Sequence, residues 1–259
     1  MRFFRWVAVG TNECAAIVVP VTLNGRDYDF QLDTGAEASY IPEARAVEAG
    51  LMKAEDDGAR VQDVRIGGTP IGPRWMLTRG TTGTLGLDML VGFTTVIDYP
   101  AQRLCVTPTA DLPFSIYRRT RWTDAVLRHG KLFVPVTVGN ELRTEYFFDT
   151  GASLFPLSVD GVDWKALTGR VQVNERDGRI SGMAWGKKVE LAGAPSLLRI
   201  SIGSLPPKPL EVFTDLRMPS RFSDHEFCPR PLRERGAVGQ DHRPDAWRSS
   251  TVRVLQPSE

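Results

Sequence analysis

Phe30-Gln31-Leu32-Asp33-Thr34-Gly35-Ala36 recurs further along the chain as Phe147-Phe148-Asp149-Thr150-Gly151-Ala152. Each copy follows a β-rich run, Val19-Pro20-Val21-Thr22-Leu23 in the first and Val134-Pro135-Val136-Thr137-Val138 in the second. The copies stand 116 positions apart. That is far more than the ~20–50 residues of a solenoid period, so each repeat reads as a small domain.

The surroundings of each copy predict its local structure. Asn24-Gly25 lies between the two runs of the first copy and is a strong hairpin turn, because both residues tolerate positive φ. Gly139-Asn140 offers similar chemistry in the second. Each aspartate is therefore placed just past a buried strand, at the start of a tight loop. A glycine element follows downstream, Gly83-Thr84-Leu85-Gly86-Leu87-Asp88 in the first half and, more loosely, Gly236-Ala237-Val238-Gly239-Gln240-Asp241 in the second. Val61-Gln62-Asp63-Val64-Arg65-Ile66 and Leu198-Arg199-Ile200-Ser201-Ile202 alternate as strands do. A helix is predicted over 42–51, opened by Pro42-Glu43 and stopped at Gly50. These signals predict an all-β or nearly all-β fold in two related lobes, residues 12–108 and 129–256. Residues 109–128 are expected to link them, and the Pro- and Arg-rich stretch near 205–235 reads as an irregular insertion.

Composition narrows the class. A 259-residue chain with 42% hydrophobic residues supports a packed core. A formal net charge of +1 gives no electrostatic reason to expect nucleic acid or an anionic membrane as partner. No apolar run approaches the ~18 residues of a membrane span. The opening Trp6-Val7-Ala8-Val9 is interrupted by Gly10-Thr11-Asn12-Glu13, so it reads as a first strand in preference to a signal sequence. Cys14, Cys105 and Cys228 are too few and too scattered for a disulfide framework or a metal site, which leans weakly towards a reducing, cytoplasmic setting. Cys105 reads as a small core residue. His129, His225 and His242 show no metal-ligand spacing.

Two Asp-Thr-Gly loops related by a pseudo-twofold axis would bring Asp33 and Asp149 face to face. Carboxylates that close cannot both ionise, so the pair holds one proton between them. One member then serves as base and the other as acid towards a shared water, which attacks an amide carbonyl without a covalent intermediate. Thr34 and Thr150 would brace the loops, and glycine lets a neighbouring backbone come close and allows unusual φ.

With the strands before them and the glycine elements after them, Asp33-Thr34-Gly35-Ala36 and Asp149-Thr150-Gly151-Ala152 resemble the active-site loops of pepsin-like and retropepsin-like aspartic peptidases. Both repeats, and so most of the chain, take part in the resemblance. It implies two retropepsin-like β-barrel lobes with a cleft between them and hydrolysis of peptide bonds in peptide or protein substrates. It also implies no metal or organic cofactor, and a shared-proton dyad is itself a known property of that family. Asp33 and Asp149 would be the catalytic pair. Thr34 and Thr150 would hydrogen-bond across, Gly35 and Gly151 would orient the carboxylates through backbone N–H groups, and Ala36 and Ala152 would complete the loops. With both motifs in one chain, a monomer suffices for the site.

Members of that family close a β-hairpin flap over the substrate, and the first repeat leaves little room for one. Gly67-Gly68 reads as a turn between core strands in preference to a flap tip. In the second repeat, Arg179-Ile180-Ser181-Gly182-Met183-Ala184-Trp185-Gly186 is the candidate flap, with Gly182 and Trp185 near the substrate, set against a core or interlobe place for Trp185. Asp88 and Asp241 read as turn caps, and Glu37 as a solvated or loop-bracing residue. A retropepsin-like scaffold kept as a catalytically silent peptide-binding or interaction module is the rival reading, to which the short first flap lends support.

Overall fold

The computed structural model describes residues 2–9, 12–51, 57–153, 156–174, 177–184, 187–216 and 250–257. The fold is mainly β with a few short helices. Its contacts divide the chain into two compact units. One comprises residues 1–134, 147–154 and 249–259, and the other residues 135–146 and 155–248. The second Asp-Thr-Gly-Ala loop thus packs into the same unit as the first.

In the first unit, the strands Asn12–Leu23 and Arg26–Leu32 form the predicted hairpin. Asn24 and Gly25 both take positive φ, 46° and 84°. Alternation along these strands sends Ile17, Val19, Val21, Phe30 and Leu32 into the core, where they meet Ile41, Met76, Leu85 and Met89. Gly83–Leu85 pairs parallel with the end of Arg26–Leu32 and antiparallel with Tyr40–Ile41. This seats the glycine element beneath the first loop. Tyr40–Ile41 in turn pairs parallel with Arg74–Thr78, whose antiparallel neighbour is Gly58–Val61. The predicted helix runs from Glu43 to Glu48 with Pro42 at its N-cap and Gly50 at φ 67° just beyond it. Burying Ala46 ties it to the core.

The run from Val61 to Ile66, expected as one strand, is two: Gly58–Val61 and Val64–Ile66, which pair with different partners. The corner is made by Asn24, whose side-chain oxygen accepts from the Asp63 N–H while its own N–H donates to the Asp63 carbonyl. Gly67 and Gly68 (φ 62° and 90°) turn Val64–Ile66 back onto Thr69–Pro70, which fits the turn reading. Cys105 is half-exposed, since its neighbours Leu104 and Val106 take the buried face of Arg103–Pro108. Residues 109–128 hold a 3-10 turn, Thr109–Asp111, a helix, Phe114–Arg119, and the strand Thr120–Arg128. That strand pairs antiparallel with Ser250–Pro257 and, through Val126, Leu127 and Arg128, with Phe133, Leu132 and Lys131.

The second unit repeats the parts of the first. Leu157–Ser158 pairs parallel with Glu211–Asp215, as Tyr40–Ile41 does with Arg74–Thr78, and a helix, Gly161–Thr168, follows. Asp160 caps that helix by accepting from the Val162 and Asp163 N–H groups, and Gly169 ends it at φ 67°. Its core gathers Trp164, Leu167, Val136, Val138, Ala194, Ile200 and Val212, and the Trp164 indole N–H donates to the Val212 carbonyl. The candidate flap strands are a hairpin, Gly178–Ala184 against Lys187–Pro195. Gly182 is opposite Val189; Trp185 lies outside the described residues, as do Cys228, Asp241 and most of the expected insertion. Of the stretch 198–202, only Ile200–Ile202 is strand.

Candidate active site

The strand Arg26–Leu32 delivers Asp33 to its loop, where the Asp33 N–H donates to the Leu85 carbonyl. The strand Glu141–Phe147 delivers Asp149, which opens the 3-10 turn Thr150–Ala152 and caps it with its own carboxylate. Both loops lie in the first unit, and their contacts are reciprocal. The Thr34 N–H donates to the Thr150 hydroxyl oxygen at 3.0 Å, and the Thr150 N–H donates to the Thr34 hydroxyl oxygen at 3.0 Å. Each hydroxyl then donates onward across the pair, Thr34 to the Phe148 carbonyl at 2.9 Å and Thr150 to the Leu32 carbonyl at 3.0 Å. Both threonines are buried, so these four bonds satisfy groups that water does not reach.

The glycines are required for a reason the sequence did not reveal. Neither takes positive φ. A Cβ on Gly35 would sit 2.5 Å from the Asp149 carboxyl carbon, and one on Gly151 would sit 2.6 Å from that of Asp33. Each glycine leaves room for the carboxylate of the opposite loop. Gly86 does the same for the main chain, since a Cβ there would lie 2.7 Å from the Ala38 carbonyl oxygen.

The two carboxyl groups sit in unequal surroundings. Asp33 Oδ1 accepts from two N–H groups, Gly35 at 2.9 Å and Ala36 at 3.1 Å. Asp149 Oδ1 accepts from Gly151 alone, at 2.8 Å. The Ala36 N–H is shared with the Asp33 carbonyl at 3.1 Å, and the Ala152 N–H donates to the Asp149 carbonyl at 3.3 Å. Burial first, and then the neighbouring Asp33 charge, push the Asp149 carboxyl from its ordinary 3.8 up to about 6. The Gly151 N–H and the Lys131 ammonium pull in the other direction.

Several contributors were not read from the sequence. Ser39, fully buried, accepts from the Gly86 N–H at 2.9 Å and donates to Asp88 at 2.7 Å, so loop and glycine element are pinned together. Asp88 is thus no helix cap: it lies inside the short helix Leu87–Leu90, whose N-cap is Gly86, and burial raises its carboxyl above the ordinary value. Gln31 donates to the Gly151 carbonyl at 3.4 Å, and the Lys131 ammonium donates to the Gly35 carbonyl. The Glu37 side chain is exposed and lies against Gly130, where an added Cβ would meet its Cγ at 2.5 Å. Among the described residues no group of His, Cys, Asp and Glu is arranged to hold a metal ion, and no helix is long and apolar enough to cross a membrane.

Residues 19–77 match the sequence model of the aspartyl protease family. No curated protein matches the chain. Among solved structures, a retropepsin-like aspartic protease from Rickettsia conorii aligns at 18% identity and a TM-score of 0.32, over 40% of this chain and 85% of that one. The retroviral protease-like domain of Ddi1 from Leishmania major aligns at 22% identity and a TM-score of 0.27, over 37% of this chain and 96% of that one. The family match supports an aspartic peptidase relationship for the segment that carries Asp33, and it stops short of the second Asp-Thr-Gly-Ala loop.

Proposed function

We propose that this chain is an aspartic-type endopeptidase of single-chain form, with Asp33 and Asp149 as its catalytic pair. The observation that carries this reading is the reciprocity of the two loops: crossed threonine bonds, and a glycine opposite each carboxylate. A loop without chemistry to do has no need to leave a Cβ-sized space for its partner's acid.

The unequal hydrogen bonding supports a division of the starting roles. Asp33, holding two N–H groups, serves as the base, and Asp149, its carboxyl pushed upwards, carries the proton. A water between them gives a proton to Asp33 as its oxygen attacks the scissile carbonyl carbon. Asp149 gives its proton to the carbonyl oxygen, and a neutral gem-diol forms. Collapse moves the Asp33 proton to the amide nitrogen, breaks the C–N bond and returns a gem-diol proton to Asp149. One proton is on the pair before and after, so the cycle closes.

Asp33→Asn and Asp149→Asn test this on a random peptide library. Each is expected to lower cleavage by at least ~10²–10⁴-fold while circular dichroism stays unchanged. The rival reading, a silent peptide-binding module, draws on the little room between Asp33 and Asp88, part of which is the helix Glu43–Glu48, for a flap in the first repeat. Wild-type protein that binds a transition-state-mimicking inhibitor but cleaves no member of the library would favour the rival.

A further inference from the structure

The two loops are gripped from opposite repeats by different chemistry. The Gly151 carbonyl, in the second loop, accepts from the neutral Gln31 amide of the first repeat. The Gly35 carbonyl, in the first loop, accepts from the Lys131 ammonium of the second. Lys131 begins the strand Lys131–Val138, half-buried, with its ammonium 5.3 Å from the centre of the Phe147 ring. No carboxylate ion-pairs with it among the described residues. Its charge is therefore left to act on the pair.

We infer that Lys131 is a positioning residue of the carboxyl pair: it clamps the first loop through the Gly35 carbonyl, and its positive charge offsets that of ionised Asp149. The inference rests on the endopeptidase reading for its catalytic consequence, though not for the electrostatic one. Gly35 is the hinge of the clamp, because its N–H binds Asp33, its Cα faces the Asp149 carboxyl, and its carbonyl holds Lys131. Among the described residues, the charged groups around the pair are few. Asp33 and Lys131 face Asp149. Arg128 is Lys131's cross-strand partner but stacks its guanidinium over Phe133 at 4.8 Å, and Glu37 packs on Gly130. The Lys131 ammonium favours ionisation of Asp149, so losing it raises the upper titration of the pair.

Three variants separate clamp from charge. Lys131→Gln keeps a donor and loses the charge, Lys131→Met loses both, and Lys131→Arg keeps both. The aspartate carboxyl carbons are titrated by NMR, with Asp33→Asn and Asp149→Asn identifying the pair, and the pH profile of kcat/KM is recorded on a cleaved peptide. The upper transition, and with it the alkaline limb, is expected to move up by about one pH unit in the Gln and Met variants and to stay in place with Arg. The Met variant alone should also lose on the order of tenfold in kcat, through a looser first loop. An unmoved NMR transition in the Gln variant, which reads the charge even where the Met variant does not fold, overturns the inference. So does an equal shift with Arg. If the carboxyl titration responds as expected but wild type cleaves no peptide, the endopeptidase reading fails and the place of Lys131 stands.

Discussion

At Gly35 and Gly151 the difference between glycine and alanine is one carbon placed about where a carboxylate already sits. Overpacking of this kind typically destabilises by about 1–3 kcal/mol. Gly35→Ala and Gly151→Ala are accordingly expected to lower the urea midpoint and to abolish cleavage together. Gly25→Ala is a control for backbone effects, since its Cβ would meet nothing within 4 Å and only its φ of 84° is strained. Asp149 makes a prediction of opposite sign. Its folded carboxyl titrates at about 6, above its ordinary 3.8. The folded state therefore holds that proton more tightly than the unfolded one, and the resulting stability is fully present below about pH 4 and lost as pH rises through about 6. Above that range ionised Asp149 costs at most roughly 3 kcal/mol. Asp149→Asn is thus expected to raise Tm relative to wild type at pH 8 and to give no such gain at pH 3.5. A thermal melt at each pH decides it.

Between elements, the threonine crossing joins the ends of Arg26–Leu32 and Glu141–Phe147, and Ser39 joins the first loop to Leu87–Leu90. Thr34→Val keeps shape but strands the Thr150 N–H and the Phe148 carbonyl, at about 1–3 kcal/mol for each buried orphan. Thr150→Val does the same to Thr34 and Leu32. Because the two changes strand different groups, the double variant should be destabilised by about the sum of the singles, as chemical denaturation would show. What was legible in the sequence follows the range of each interaction. Asn24-Gly25, Pro42 and Gly50 act within a few residues, so hairpin and helix could be read directly. The contacts of Ser39, Lys131 and Gln31 span 49, 96 and 120 residues, and nothing local marks them. The break between Val61 and Val64 escaped for the same reason, being set by Asn24. The Asp-Thr-Gly loops were legible only because the chain states them twice.

For the molecule as a whole, the repeat explains how one chain gathers two acids, and the contacts sharpen it. The segment 147–154 packs with the first compact unit and not with that of its own repeat, so both carboxyl groups lie in one unit. A pair of that kind should give a bell-shaped pH profile, with an alkaline limb near the value of about 6 to which Asp149 is pushed. Cleavage should fall on both sides of it and respond little to the second unit's isolated ionisable groups. The central claim, that Asp33 and Asp149 act as one acid–base pair, is tested most directly by digesting a peptide library with wild type, Asp33→Asn, Asp149→Asn and the double variant. The pair predicts that either single change lowers cleavage nearly as far as both together. Full activity in either single variant, or losses that multiply in the double one, would contradict it.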